Sequence, residues 1–289
     1  VTALETAVTA VESGRICAVA GQAQREMREW AAAYPGLYDV KVFDPALFST
    51  LALATAFSGP WFTSEQLRMA NRVCLWCFGL DWLIDYVATS PAEVRDIAQR
   101  VQAVADDGPP VPGDDLTLFL AAILDELKQA AAFPALRDIW RDELQRMLDA
   151  MVLEWEWKTG TRPSFEDYLA NADNLGFSFV FTAHWISTGD LDETPAEEVR
   201  AAGRAVQRVL RLLNDLGTYE RDLKWGDLNG LMLGVGRADV ERRIAELTAR
   251  SRELLHPLQA TRPRLAGYME RQMDFCAGFY GVTDYWGSL

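Results

Sequence analysis

The stretch NDLGTYERD, from Asn214 to Asp222, reads as helix and carries Asn214, Thr218 and Asp222 at a constant spacing of four. Four residues are just over one turn, so an amide oxygen, a hydroxyl and a carboxylate stack along one face. These are hard oxygen donors suited to Mg²⁺ rather than to zinc or copper. Val206, Val209, Leu212, Leu213 and Leu216 surround them, and Arg221, beside Asp222, offers a cation to an anion that the metal also holds. The competing reading of this face is the solvated side of an ordinary surface helix. A second segment, CFGLDWLIDYV, sets Asp81 and Asp85 four apart on a helix rich in Phe78, Leu80, Trp82, Leu83 and Ile84. Two like charges on one buried face repel unless a cation sits between them. Rim carboxylates paired with Lys or Arg are the alternative there.

The elements that position these residues are helical almost throughout, because apolar residues recur at three and four. Helices are predicted at about 14–34, 45–57, 63–88, 91–105, 115–131, 134–158, 164–188, 195–223, 238–254 and 258–284. The seventh is interrupted near Asn174–Gly176, and DDGPPVPGDD at 106–115 is a loop. No repeat or linker divides the chain, so residues 1–289 are expected to form one all-α domain of about ten helices around a single core.

Twenty-eight basic against 42 acidic residues give a net charge of -14, which repels nucleic acid and anionic membranes. An anionic small substrate then requires bound cations or local Arg and Lys. Cys74 and Cys77 form a CxxC inside the apolar run VCLWCFGL, without a second CxxC. Both read as core residues rather than a zinc or redox site, and with Cys17 and Cys276 they make four cysteines, too few in a chain this long to suggest a disulfide scaffold. No secretory signal is evident, and no apolar run reaches the roughly 18 residues of a membrane span. The cytoplasm is the expected compartment. His256 precedes Pro257 at a predicted helix end, and His184 is expected to be a satisfied, partly buried histidine.

Taken together, the two acidic segments resemble the metal-binding motifs of bacterial class I terpene synthases. WCFGLDWLID is similar to the family's WxFxxDDxxD, and NDLGTYERD to its NDxxSxxxE triad. Between them WEWKTGTRPSFEDYL is similar to the family's Trp, Pro, Glu-Tyr run, and GDLNGLM to its GDxxNxV continuation. The resemblance spans roughly residues 25–286. It implies an all-α fold, an aromatic-lined pocket, and a three-ion Mg²⁺ cluster holding the diphosphate of an isoprenoid substrate. On that basis Asp81, Asp85, Asn214, Thr218 and Asp222 are the metal ligands and catalytic residues. Arg221 contacts the diphosphate, with Lys224 and Tyr285 also on the substrate. The aromatic candidates for the pocket are Phe57, Phe78, Trp82, Trp155, Phe177, Phe181, Trp185 and Tyr280. The resemblance also allows for a homodimer and for an upstream class II cyclase that supplies the substrate.

Four departures narrow this reading. Trp82 stands where the family has its second aspartate, and Asp222 stands for glutamate. Asp284-Tyr285 replaces the carboxyl-terminal Arg-Tyr. No Arg or Lys occurs from 163 to 199, where bacterial members carry a diphosphate-sensing arginine. Arg72, Lys158, Arg162 and Lys224 are candidate replacements. These losses look most like the labdane-related diterpene synthases, which ionise a bicyclic labdane-type diphosphate or geranylgeranyl diphosphate. A sesquiterpene synthase acting on farnesyl diphosphate is the nearer alternative. A prenyl-elongating synthase, which would carry two DDxxD motifs, and a non-catalytic helical binding protein are the others.

Overall fold

The computed structural model describes residues 9–189 and 196–287, apart from the side chain of Thr159. Among them are twelve α-helices and no strand. The amino-terminal helices are α1 (Ala10–Ala33), α2 (Pro35–Tyr38), α3 (Pro45–Ser58) and α4 (Ser64–Trp82). Next come α5 (Pro91–Ala105), α6 (Asp115–Leu127), α7 (Phe133–Thr159) and α8 (Phe165–Ala170). The last four are α9 (Phe177–Thr188), α10 (Ala196–Trp225), α11 (Arg237–Thr261) and α12 (Pro263–Tyr280).

Local chemistry sets most starts. Thr63 and Gln66 form a reciprocal capping box at α4. Asp44, Ser90 and Ser164 each accept an amide proton from the first turn of α3, α5 and α8. One cluster of buried apolar side chains runs from Ile16 on α1 to Cys276 on α12. Within it α3, α4, α9, α10 and α12 pack in sequence, and α12 returns to α3, closing a ring. Helix α9 is apolar all round and buries nearly every side chain, because α7 also packs against this member of the ring.

One predicted break, near Asn174–Gly176, is found, and two predicted boundaries move. The helix expected at 164–188 is divided into α8, a 3₁₀ turn at Ala172–Leu175, and α9. The division falls at Gly176, whose φ of 74° lies in the left-handed region. The break expected at Pro257 is absent. Helix α11 continues through that proline to Thr261, held by the buried Leu255 and Leu258, and the chain turns at Arg262-Pro263. The helix expected to reach 88 leaves α-geometry after Trp82 and ends in a π turn, Leu83–Val87. Among the described residues no helix is long and apolar enough to cross a membrane.

Candidate active site

The ring of helices encloses a cavity of about 210 Å³. Its apolar wall includes Leu51, Met147, Val180 and Leu210, with Phe78, Phe177, Phe181, Tyr280 and Tyr285 among its aromatic residues. Two acidic groups meet on that wall. Asp81 and Asp85 come from the end of α4 and its π turn, and Asn214 and Asp222 from α10. The π turn is completed by Trp155, whose indole N–H donates to the Ile84 carbonyl at 2.7 Å. Trp155 therefore ties α7 to the end of α4 and does not line the cavity.

Asn214 faces the cavity and donates through Nδ2 to the Tyr280 hydroxyl at 3.2 Å. Helices α10 and α12 can approach so closely because Gly217, inside the motif, has no side chain. A Cβ there would lie 3.0 Å from the Tyr280 carbonyl. Thr218 is 1% exposed and does not reach the wall. Its hydroxyl bridges the Asn214 carbonyl and the Asp222 carboxylate, which also accepts from Asn229 Nδ2 at 2.9 Å. The triad thus lies along one helix face as its spacing requires, with its middle member behind the other two.

Charges at the site are paired unevenly. Arg221 Nη1 lies 2.9 Å from Asp284 Oδ2, and its Nη2 lies 3.2 Å from Asp222 Oδ1. Lys158, on α7, reaches Asp85 at 2.7 Å and Asp227 at 2.8 Å. Burial opposes the charge of Lys158, yet Asp85 and Asp227 raise its pKa above the ordinary value. Among the described residues Asp81 has no ion-pair partner. Burial, then the nearby Asp85 and Asp227 carboxylates, push it well above the usual carboxylate range. Asp227 is raised in the same way, by burial and by Asp85. No three His, Cys, Asp or Glu side chains among the described residues form a ready-made metal cage.

Several residues expected at the site stand elsewhere. Trp185 is 1% exposed and Phe57 packs on Phe275, both off the cavity wall. Trp82 stacks behind the wall residue Tyr86, with centroids 5.0 Å apart. Lys224 and Arg162 are exposed and do not line it. Arg72 pairs with Glu126 between the rings of Trp30 and Phe119. His184 is fully buried rather than partly so. It is packed between Phe62 and Tyr268, where neither of its nitrogens has a hydrogen-bond partner among the described residues, and burial pushes its pKa down to about 4.

Other wall residues had not been singled out. Asp227 belongs to the GDLNGLM segment, and Asp284 to the altered carboxyl-terminal pair. Glu154 and Arg211 form an ion pair at 3.2 Å, with Arg211 also donating to Tyr168 at 2.6 Å. The signal for Arg211 was its place three residues before Asn214, on the same helix face. Cys74, Cys77 and Cys276 are free thiols on the wall, their pKa values raised by burial.

Residues 72–235, which carry both acidic segments, match the terpene synthase family 2, C-terminal metal-binding family. The chain belongs to that family. It is a bacterial-type class I terpene synthase, a carbon–oxygen lyase acting on diphosphate esters. It is 28% identical to ent-pimara-9(11),15-diene synthase of Streptomyces sp. (strain KO-3988) over 276 residues, 91% of each chain. Two solved structures share the fold. The 2-methylisoborneol synthase of Streptomyces coelicolor A3(2), in complex with Mg²⁺ and 2-fluoroneryl diphosphate, superimposes with a TM-score of 0.74 at 18% identity and 94% coverage of both chains. The linalool/nerolidol synthase of Streptomyces clavuligerus gives 0.70 at 15% identity, covering 91% of this chain and 95% of that one.

Proposed function

We propose that this terpene synthase ionises a C20 isoprenoid diphosphate, labdane-type or geranylgeranyl, with Mg²⁺, releasing diphosphate and a diterpene hydrocarbon or alcohol. One observation carries the reading: Asp81, Asp85, Asn214 and Asp222, separated in sequence, line the same cavity. Asp81 and Asp85 would hold metal from one side, and Asn214 and Asp222 from the other; Thr218, which lies behind them with its hydroxyl on Asp222, would join them only by giving up that bond. The donors fit the ion. Asp81 is a half-buried carboxylate beside two others and, among the described residues, without a cation of its own, a position that a divalent ion would relieve. Mg²⁺ is commonly held by one or two carboxylates together with substrate phosphates, so a protein-only cage is not required.

Bound Mg²⁺ supplies charge stabilisation to the departing diphosphate. The chain's own residues then do the remaining work. The allylic carbon–oxygen bond breaks with its electron pair on the diphosphate, whose charge Arg221 can share once it leaves Asp284. Phe78, Phe177 and Phe181 exclude water and present π-faces to the carbocation. Loss of a proton or capture of water ends the reaction. The C20 assignment rests on the diterpene synthase relative and on the missing sensing arginine. A main core that runs from α1 to α12 supports one catalytic domain.

Incubation with Mg²⁺ and C15, C20 or labdane-type diphosphates, followed by gas chromatography with mass detection, tests the assignment. The expected outcome is turnover of a C20 diphosphate. Efficient turnover of farnesyl diphosphate with C20 substrates ignored would make the chain a sesquiterpene synthase instead.

A further inference from the structure

Lys158 sits near the end of α7 with a side chain 13% exposed, and both of its anionic partners, Asp85 and Asp227, line the cavity. Its ammonium also lies 5.8 Å from the ring centroid of Trp155, the side chain that ties α7 to the π turn. Among the cations that face the cavity's acids, Lys158 is placed differently from the others. Arg211 is buried and donates to Tyr168, Glu154 and the Leu228 carbonyl, so it is committed to the wall. Arg221 is held by Asp222 and Asp284. Lys158, like Arg221, is held by a carboxylate for which a divalent ion competes, here Asp85, but it reaches the site from α7, on the side of the π turn.

An ammonium has three donors, and two of those on Lys158 are taken by Asp85 and Asp227. Its four-carbon stem is flexible and its charge is compact, so it can change partner without moving the helix. A dication on Asp85 outcompetes a monocation there, whereas Asp227 would keep the freed ammonium beside the cavity. No Arg or Lys lies between 163 and 199 to meet a diphosphate from the α8–α9 side.

We propose that Lys158 neutralises Asp85 and Asp227 before metal binding, yields Asp85 to Mg²⁺, and then binds the diphosphate while remaining on Asp227. Lys158 is thus a substrate-binding residue that opposes the metal when diphosphate is absent and supports the complex when it is present. This rests on the reading of Asp85 as a metal ligand given above.

Calorimetry on the full chain gives the two constants that test it: Mg²⁺ affinity without diphosphate, and inorganic diphosphate affinity at saturating Mg²⁺. Lys158→Gln is expected to bind Mg²⁺ alone about threefold or more tighter, and diphosphate about tenfold or more weaker. Lys158→Arg, which keeps the charge, should recover most of the diphosphate affinity. Lys158→Met keeps the stem length and serves as the neutral variant if the glutamine variant does not fold. A residue that merely props up the site would weaken both affinities together. That result, or no change in either constant, overturns the role given to Lys158. If the wild-type chain shows no joint binding of Mg²⁺ and diphosphate, the metal reading itself fails and takes this role with it.

Discussion

Among the acids at the cavity, Asp81 has the least local compensation. Lys158 serves Asp85 and Asp227, and Arg221 serves Asp222 and Asp284, but no cation pairs with Asp81 among the described residues. Replacing Asp81 or Asn214 with alanine is therefore expected to lower steady-state turnover roughly a thousandfold, several kcal/mol of transition-state stabilisation. Near-wild-type turnover in either variant would remove that residue from the metal site. His184 makes a separate prediction, about stability. Burial lowers its pKa from 6.5 to about 4, so the unfolded chain takes up a proton at a pH where the fold does not. The stability it leaves intact above pH 6.5 is lost as pH falls toward 4, by about 2 kcal/mol at pH 5. Urea denaturation at pH 7 and pH 5 should show this loss in the wild-type chain and a smaller one in His184→Phe. Equal losses in the two proteins would assign the effect to other groups.

At the scale of elements, the breaks in the helices matter as much as the helices. Gly176 separates the 3₁₀ turn from α9 and lets Leu175 and Phe177 both reach the cavity. A Cβ at this position would meet Met147 Sδ at 2.9 Å, on a backbone that L side chains rarely adopt. Gly176→Ala is expected to cost about 1–2 kcal/mol in thermal or denaturant melts and to raise KM by displacing the wall. Unchanged stability would show that the backbone there relaxes freely. This break was legible in the sequence because Asn-Leu-Gly interrupts a helical pattern. The π turn after Trp82 was not, since an apolar run carries no mark of a wider turn. Neither was the uninterrupted course of α11 across Pro257, because the buried Leu255 and Leu258 outweigh the lost hydrogen bond.

On the scale of the whole molecule, a chain of net charge -14 gathers carboxylates from α4, α7, α10 and the segments after α10 and α12 around one cavity. Such a ring of acids cannot attract a diphosphate until cations reverse its field, which makes the metal requirement a property of the assembly. The sequence by itself determined the helical class, the donor types and the four-residue spacings, because these depend on local periodicity and side-chain chemistry. It also carried the family resemblance, through motifs that stay contiguous in the chain. The tertiary structure decided which charges face one another. Asp284 neutralises Arg221 from 63 residues away in the chain, and Lys158 reaches Asp85 across 73 and Asp227 across 69. It also set Trp185 into the core and placed Phe177 and Phe181 on the cavity wall, though all three lie on the same apolar helix. Partner choice of this kind depends on how helices pack around the ring, and no spacing along the chain encodes it.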